Sequence, residues 1–77
     1  MPTVLRIQGY RVGFFSADGD EPPHVHVSRD DRTAKFWLDP VQLAANVGYR
    51  GHELNEIAGL LEANQQRLIE AWHEYFG

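Results

Sequence analysis

Two short runs of this chain match each other residue for residue. His24-Val25-His26-Val27-Ser28 and Thr33-Ala34-Lys35-Phe36-Trp37 flank Asp30-Asp31, and a turn at that dipeptide pairs Val27 with Ala34 and Val25 with Phe36. The same register sets His26 opposite Lys35, His24 opposite Trp37 and Ser28 opposite Thr33. Apolar meets apolar, and polar or amphipathic meets the same, at every step, as one buried face of an antiparallel pair demands. A strand's period of two then puts His24 and His26 on one face and Val25 and Val27 on the other. Pro22 and Pro23 lack a backbone donor, so they form an extended lead-in rather than part of a central ladder.

The flanking segments extend this pattern. Val4 to Ser16 reads as a hairpin around Gln8-Gly9, pairing Leu5 with Val12, Ile7 with Tyr10 and Thr3 with Phe14. Its other face then carries Val4, Arg6 and Arg11, and the opposed arginines suggest a carboxylate or bound anion nearby, or simply two splayed, hydrated side chains. Ala17-Asp18-Gly19-Asp20 is a loop by composition. Val41, Leu43, Ala45, Val47 and Tyr49 alternate without a break, which favours a turn at Asp39-Pro40 and a fifth strand over a helix.

From about Glu53 to Tyr75 the period changes. Leu54, Ile57, Ala58, Leu61, Leu68, Trp72 and Tyr75 recur at helical spacing, predicting one helix of roughly 23 residues and about 35 Å. A strand spans about 20 Å, so the last turns would overhang the sheet, and Gly59 or Asn64-Gln65-Gln66 is where the helix would bend. Leu60, Ile69 and Phe76 fall off the main stripe and are ordinary exposed residues or a surface for a partner or homodimer. The expected architecture is a single α+β domain over residues 1–77. A small antiparallel meander of four to five strands (1–50) is covered on one face by one long C-terminal helix (51–77). The other face displays His24, His26, Lys35 and Trp37.

Composition narrows the classes. The chain has no cysteine, so neither disulfides nor thiolate zinc sites reinforce a 77-residue core. Residues 1–50 carry six basic and six acidic side chains, and residues 51–77 carry five glutamates against Arg67, which gives the net charge of −4. A uniformly basic nucleic-acid footprint is therefore absent. The N-terminus lacks the pattern of a signal peptide, and no run could span a membrane, so a soluble cytoplasmic protein is expected.

The histidine pair admits several chemistries. His24 and His26 as general acid and base, with Lys35 stabilising developing charge, would suit metal-independent RNA cleavage, with Trp37 or Tyr49 stacking a base. A His-x-His pair also supplies two metal ligands, which Glu21, His52 or an aspartate of the 18–20 loop would have to complete; Lys35 across from His26 counts against a cation. Plain solvent-facing histidines on a wet sheet face are the commonest arrangement. No cofactor is expected, and any metal would fall to His24 and His26. The candidate catalytic residues are thus His24, His26 and Lys35, and the candidate binding residues Trp37, Arg6, Arg11 and Tyr49.

The opening Met-Pro-Thr, the Glu-Pro-Pro-His-Val-His-Val element, the Ala34–Val41 run, Asn46-Val47-Gly48-Tyr49 and the closing Glu53–Trp72 segment resemble the prokaryotic domain of unknown function 4160 family. The resemblance covers nearly the whole chain, and Pro22, Pro23, His24, His26, Lys35 and Trp37 carry its signature. It implies a small free-standing protein whose gene often adjoins a second small gene, in a layout like a toxin–antitoxin pair. The implied partner is the product of that adjacent gene, acting through protein–protein contact. RNA is the partner only if the histidines are catalytic.

Overall fold

The computed structural model of the chain describes residues 3–77. Five strands, β1 (Thr3–Ile7), β2 (Tyr10–Gly13), β3 (His24–Arg29), β4 (Arg32–Leu38) and β5 (Val41–Val47), are followed by helices α1 (Gly51–Ala63) and α2 (Gln65–Phe76). The strands form one antiparallel sheet in chain order, so the meander is realised in full. Among the described residues, no helix is long and apolar enough to cross a membrane.

The central hairpin has the expected register at all five positions from His24↔Trp37 to Ser28↔Thr33. Asp30 turns at φ 55°, and Gln8 and Gly9 take φ 51° and 85°, the backbone that a two-residue hairpin loop requires. Two bulges modify the outer strands. Leu5 and Ile7 pair with Val12 and Tyr10 as expected, but Thr3 pairs with Gly13 rather than Phe14, because Val4 is an extra residue in β1. Val4 consequently packs against the core instead of lying on the open face.

The second bulge is in β5. Leu43 pairs with Phe36 and Ala45 with Lys35, which leaves Ala44 without a partner. One extra residue inverts the alternation. Val41 and Leu43 therefore share a face with Leu38 and Phe36, whereas Ala45 and Val47 share the opposite face with Lys35 and Thr33. The unbroken apolar alternation of the sequence is thus split between two faces.

Val12, Val25, Val27, Ala34, Phe36 and Leu38 of the sheet meet Ile57, Leu61 and Leu68 of the helices to form the core. Burying each such side chain contributes about 1.5–3 kcal/mol. The single helix of the sequence pattern is two helices. Asn64, at φ −116° and ψ 13°, separates them, and its Nδ2 donates to the Leu60 carbonyl at 2.8 Å. Gln65 Nε2 donates to the Leu38 carbonyl at 2.7 Å, tying the break to the end of β4. Each helix is then about 20 Å long, close to a strand's length, so the break matches helix to sheet. Leu60 and Ile69 pack against the core, and Phe76 sets its ring 4.2 Å from Trp72 and 5.3 Å from Phe14.

Candidate functional site

The 3-10 turn Ser16–Asp20 between β2 and β3 supplies what the histidine pair lacked. Its start is fixed by the Phe15 N–H, which donates to Asp18 Oδ2 at 2.8 Å. The same oxygen lies 3.0 Å from His26 Nε2 and 3.3 Å from His24 Nε2. Period two holds the two imidazoles side by side, ring centres 5.3 Å apart, and the turn brings one carboxylate back over both. Glu21 follows, with Oε1 3.6 Å from His24 Nε2 and accepting from Lys35 Nζ at 2.7 Å.

His24 differs from the expectation of a displayed side chain: its exposure is 0%. It opens β3 at the end of the sheet, where Trp37 and Trp72 place their ring centres 5.6 and 5.0 Å from its own. Nδ1 donates to the Pro22 carbonyl at 3.0 Å, so the proline lead-in fixes the orientation of the ring. Nε2 is buried without a hydrogen-bond partner. A buried polar atom left in that condition costs about 1–3 kcal/mol.

The charges around this atom are arranged unequally. Burial opposes ionisation of Asp18, but the Phe15 N–H and the two imidazoles together hold its carboxyl below the usual carboxylate range. Burial also pulls His26 below the ordinary imidazole range, against the attraction of Asp18 and with small additions from His24 and Lys35. The Lys35 ammonium, the chief influence on Glu21, keeps that carboxyl low as well. Lys35 is thus neutralised by Glu21 and rests 4.7 Å from the Trp37 ring centre. Two carboxylates against one ammonium leave the cluster at −1 when the imidazoles are neutral. Asp18, His24 and His26 each present one ligand atom, and all three atoms lie within 4.8 Å of one another.

The other candidate residues separate into two groups. Arg11 pairs with Ser28 and Gly13 with His26, so Arg6, Arg11 and His26 share a face of the sheet. The arginines lie toward the β1–β2 turn with Ser28 and Arg29 rather than beside the imidazoles, and no ion pair joins them to a carboxylate among the described residues. Tyr49 is buried, its hydroxyl donating to the Val27 carbonyl at 3.2 Å and its ring 6.1 Å from that of Tyr10. From there it packs the core and has no face for a base to stack on. The sequence pattern offered Asp18 and Glu21 only as loop residues among several possible ligands, since the fold of a turn leaves no period to read.

A second surface accompanies the cluster. β5 is an edge strand whose seven residues include no charged side chain. All but Val41 are exposed, with Leu43 at 42% and Val47 at 64%. Natural edge strands are usually protected by charge, proline, brevity or a bulge, and of these β5 has only the bulge at Ala44.

No curated protein and no solved structure matches the chain. The family described as Domain of unknown function (DUF4160) matches residues 9–73, a span that holds both histidines, Asp18, Glu21, Lys35, Trp37 and all of β5. The chain belongs to the DUF4160 family.

Proposed function

We propose that this protein is the protein-binding component of a two-gene, toxin–antitoxin-like module in the cytoplasm, and that it holds its partner by accepting an extended segment along β5. The observation that carries this reading is the uncharged, exposed edge of β5, the last strand of the sheet, where a further strand would extend the ladder and Ala45 and Val47 offer apolar side chains beside it. The occupant is a strand of the adjacent gene's product with apolar side chains on alternate positions, because pockets for alternate residues give such strand addition its specificity. Coexpression of the two genes with copurification through a tag on the partner tests it. A stable complex is expected, and its absence would remove the reading.

A ribonuclease using His24 and His26 as acid and base, with Lys35 stabilising charge, draws less support from the geometry. His24 has no surface for a substrate to touch, and its Nδ1 is committed to the Pro22 carbonyl. Growth arrest on induced expression, abolished by His26→Ala, would reverse that preference.

A further inference from the structure

We infer that Asp18, His24 and His26 form a binding site for one divalent transition-metal ion of the zinc class, with Asp18 Oδ2, His24 Nε2 and His26 Nε2 as its protein ligands. The inference begins with His24 Nε2. That atom is wholly buried, lies 3.3 Å from a carboxylate oxygen but off the line a hydrogen bond needs, and has no hydrogen-bond partner among the described residues. The Nδ1–H of the same ring is spent on a backbone carbonyl, so the nitrogen facing Asp18 carries a lone pair unless a second proton occupies it. A lone pair held 3.3 Å from a carboxylate oxygen is repelled by it, and a cation bound to both removes the repulsion.

Two of the three spacings fit. Zinc bonds of about 2.0–2.1 Å place neighbouring ligand atoms of a tetrahedron about 3.3 Å apart. The two Asp18–imidazole distances are 3.3 and 3.0 Å, the second a hydrogen bond from His26 Nε2 whose proton the ion would displace. The imidazole nitrogens lie within 4.8 Å of each other and would draw together around the ion. The support around the ligands has the same character. A metal-bound histidine ordinarily donates its other ring N–H to a carbonyl or carboxylate, which sets the tautomer, and His24 does so to Pro22. Asp18 is held by the Phe15 N–H. Two imidazole nitrogens and one carboxylate oxygen suit zinc, nickel, cobalt or ferrous iron, while magnesium and calcium favour all-oxygen sets.

Lys35 does not stand in the way. Its ammonium is paired with Glu21 at 2.7 Å and lies over Trp37. Asp18 and His26 keep 15% and 21% of their side chains exposed, so the ion would be reached from that side and retain a position for water or a fourth ligand. Three protein ligands with one open position is the pattern of reactive zinc sites rather than of closed structural ones. This inference is independent of the β5 edge, so either can fail alone.

The test uses untagged full-length protein, stripped with a chelator and titrated at neutral pH with zinc chloride in a calorimeter. One ion per chain is expected. Asp18→Asn and His26→Ala should each weaken binding by more than about 100-fold, above the 10–100-fold that loss of a supporting residue costs. His52→Ala and His73→Ala should bind as the parent does. Circular dichroism confirms that each variant is folded, and His24→Ala is avoided because it would open a cavity in a buried site. Cobalt substituted into the parent should give the intense visible absorption of a four-coordinate ion, lost in both site variants. Absence of saturable equimolar binding, or binding that survives both substitutions, would overturn the site. So would nitrogen spectra that show His24 doubly protonated in the presence of zinc, since a proton would then fill the place assigned to the metal.

Discussion

The indole of Trp72 closes over His24, ring centres 5.0 Å apart, while its edge meets Phe14 at 5.5 Å. One residue of the last helix therefore seals both the end of the core and the buried imidazole. Truncating it removes contacts on two sides at once. Trp72→Ala should cost about 3–5 kcal/mol, a large share of the roughly 5–15 kcal/mol that holds a domain folded. Urea denaturation should show the midpoint falling steeply, whereas Trp72→Phe, which keeps a ring against Phe14, should retain most of the stability. A loss in Trp72→Phe as large as that in Trp72→Ala would mean that a ring against Phe14 is not enough and that the full indole is what closes this end.

The parts of the fold that were legible in the sequence are those where side-chain period and register agree. For His24–Ser28 against Thr33–Trp37, a turn at Asp30-Asp31 sets Val25 and Val27 against Phe36 and Ala34 on one face, and the structure has that alignment. The bulges at Val4 and Ala44 were hidden because an inserted residue leaves composition unchanged and an apolar one preserves apparent alternation. The break at Asn64 falls in one of the two stretches where the sequence allows a bend, and the bond that anchors it there, from Gln65 to Leu38, is tertiary and so lies outside any helical period. At the site, His24 and His26 were visible as a pair and their environment was not. Burial of His24 depends on Trp72, 48 positions away, and its carboxylate comes from a turn whose path is set by the Phe15 N–H.

The Tyr49 hydroxyl offers a test of its core role. It donates to the Val27 carbonyl in a fully buried setting. Tyr49→Phe should lower stability by about 0.5–1.5 kcal/mol, the net worth of one such bond, and leave the ring's packing on Tyr10 intact. Zinc binding and partner binding should not change. A loss of partner affinity without loss of stability would place Tyr49 at an interface instead.

Glu53 gives the fold a pH dependence remote from the histidines. Its Oε1 accepts the Arg50 N–H at 2.9 Å at the start of α1, and Oε2 meets Arg32 Nη1 of β4 at 2.6 Å. The Arg50 N–H is the larger influence; with Arg32 and His52 it holds the carboxyl below its usual range against a modest opposing burial. A depressed folded-state value means stability that is complete above the unfolded carboxyl's pKa, about 4.3, and that is lost as pH falls through the lower folded value. Glu53→Gln should therefore melt below the parent at pH 7, and the gap should narrow as pH drops from about 4.3 and close in stronger acid. A gap that persists at acid pH would assign the effect to packing rather than charge.

The exposed row on β5 predicts a separation of stability from association. Ala45 lies opposite Lys35 and Val47 opposite Thr33, both outside the core. Ala45→Glu combined with Val47→Lys places one charge beside an opposite one and another in solvent, so folding stability should shift by no more than about 0.5 kcal/mol per site. A charged edge resists strand addition, because an incoming apolar strand would have to bury it. Copurification with the adjacent gene's product should then be lost while the melting temperature holds. Size-exclusion chromatography of each form alone distinguishes the partner from a second copy: a parent dimer that becomes monomeric on substitution would assign the edge to self-association, and an unchanged heteromeric complex would move the interface away from β5.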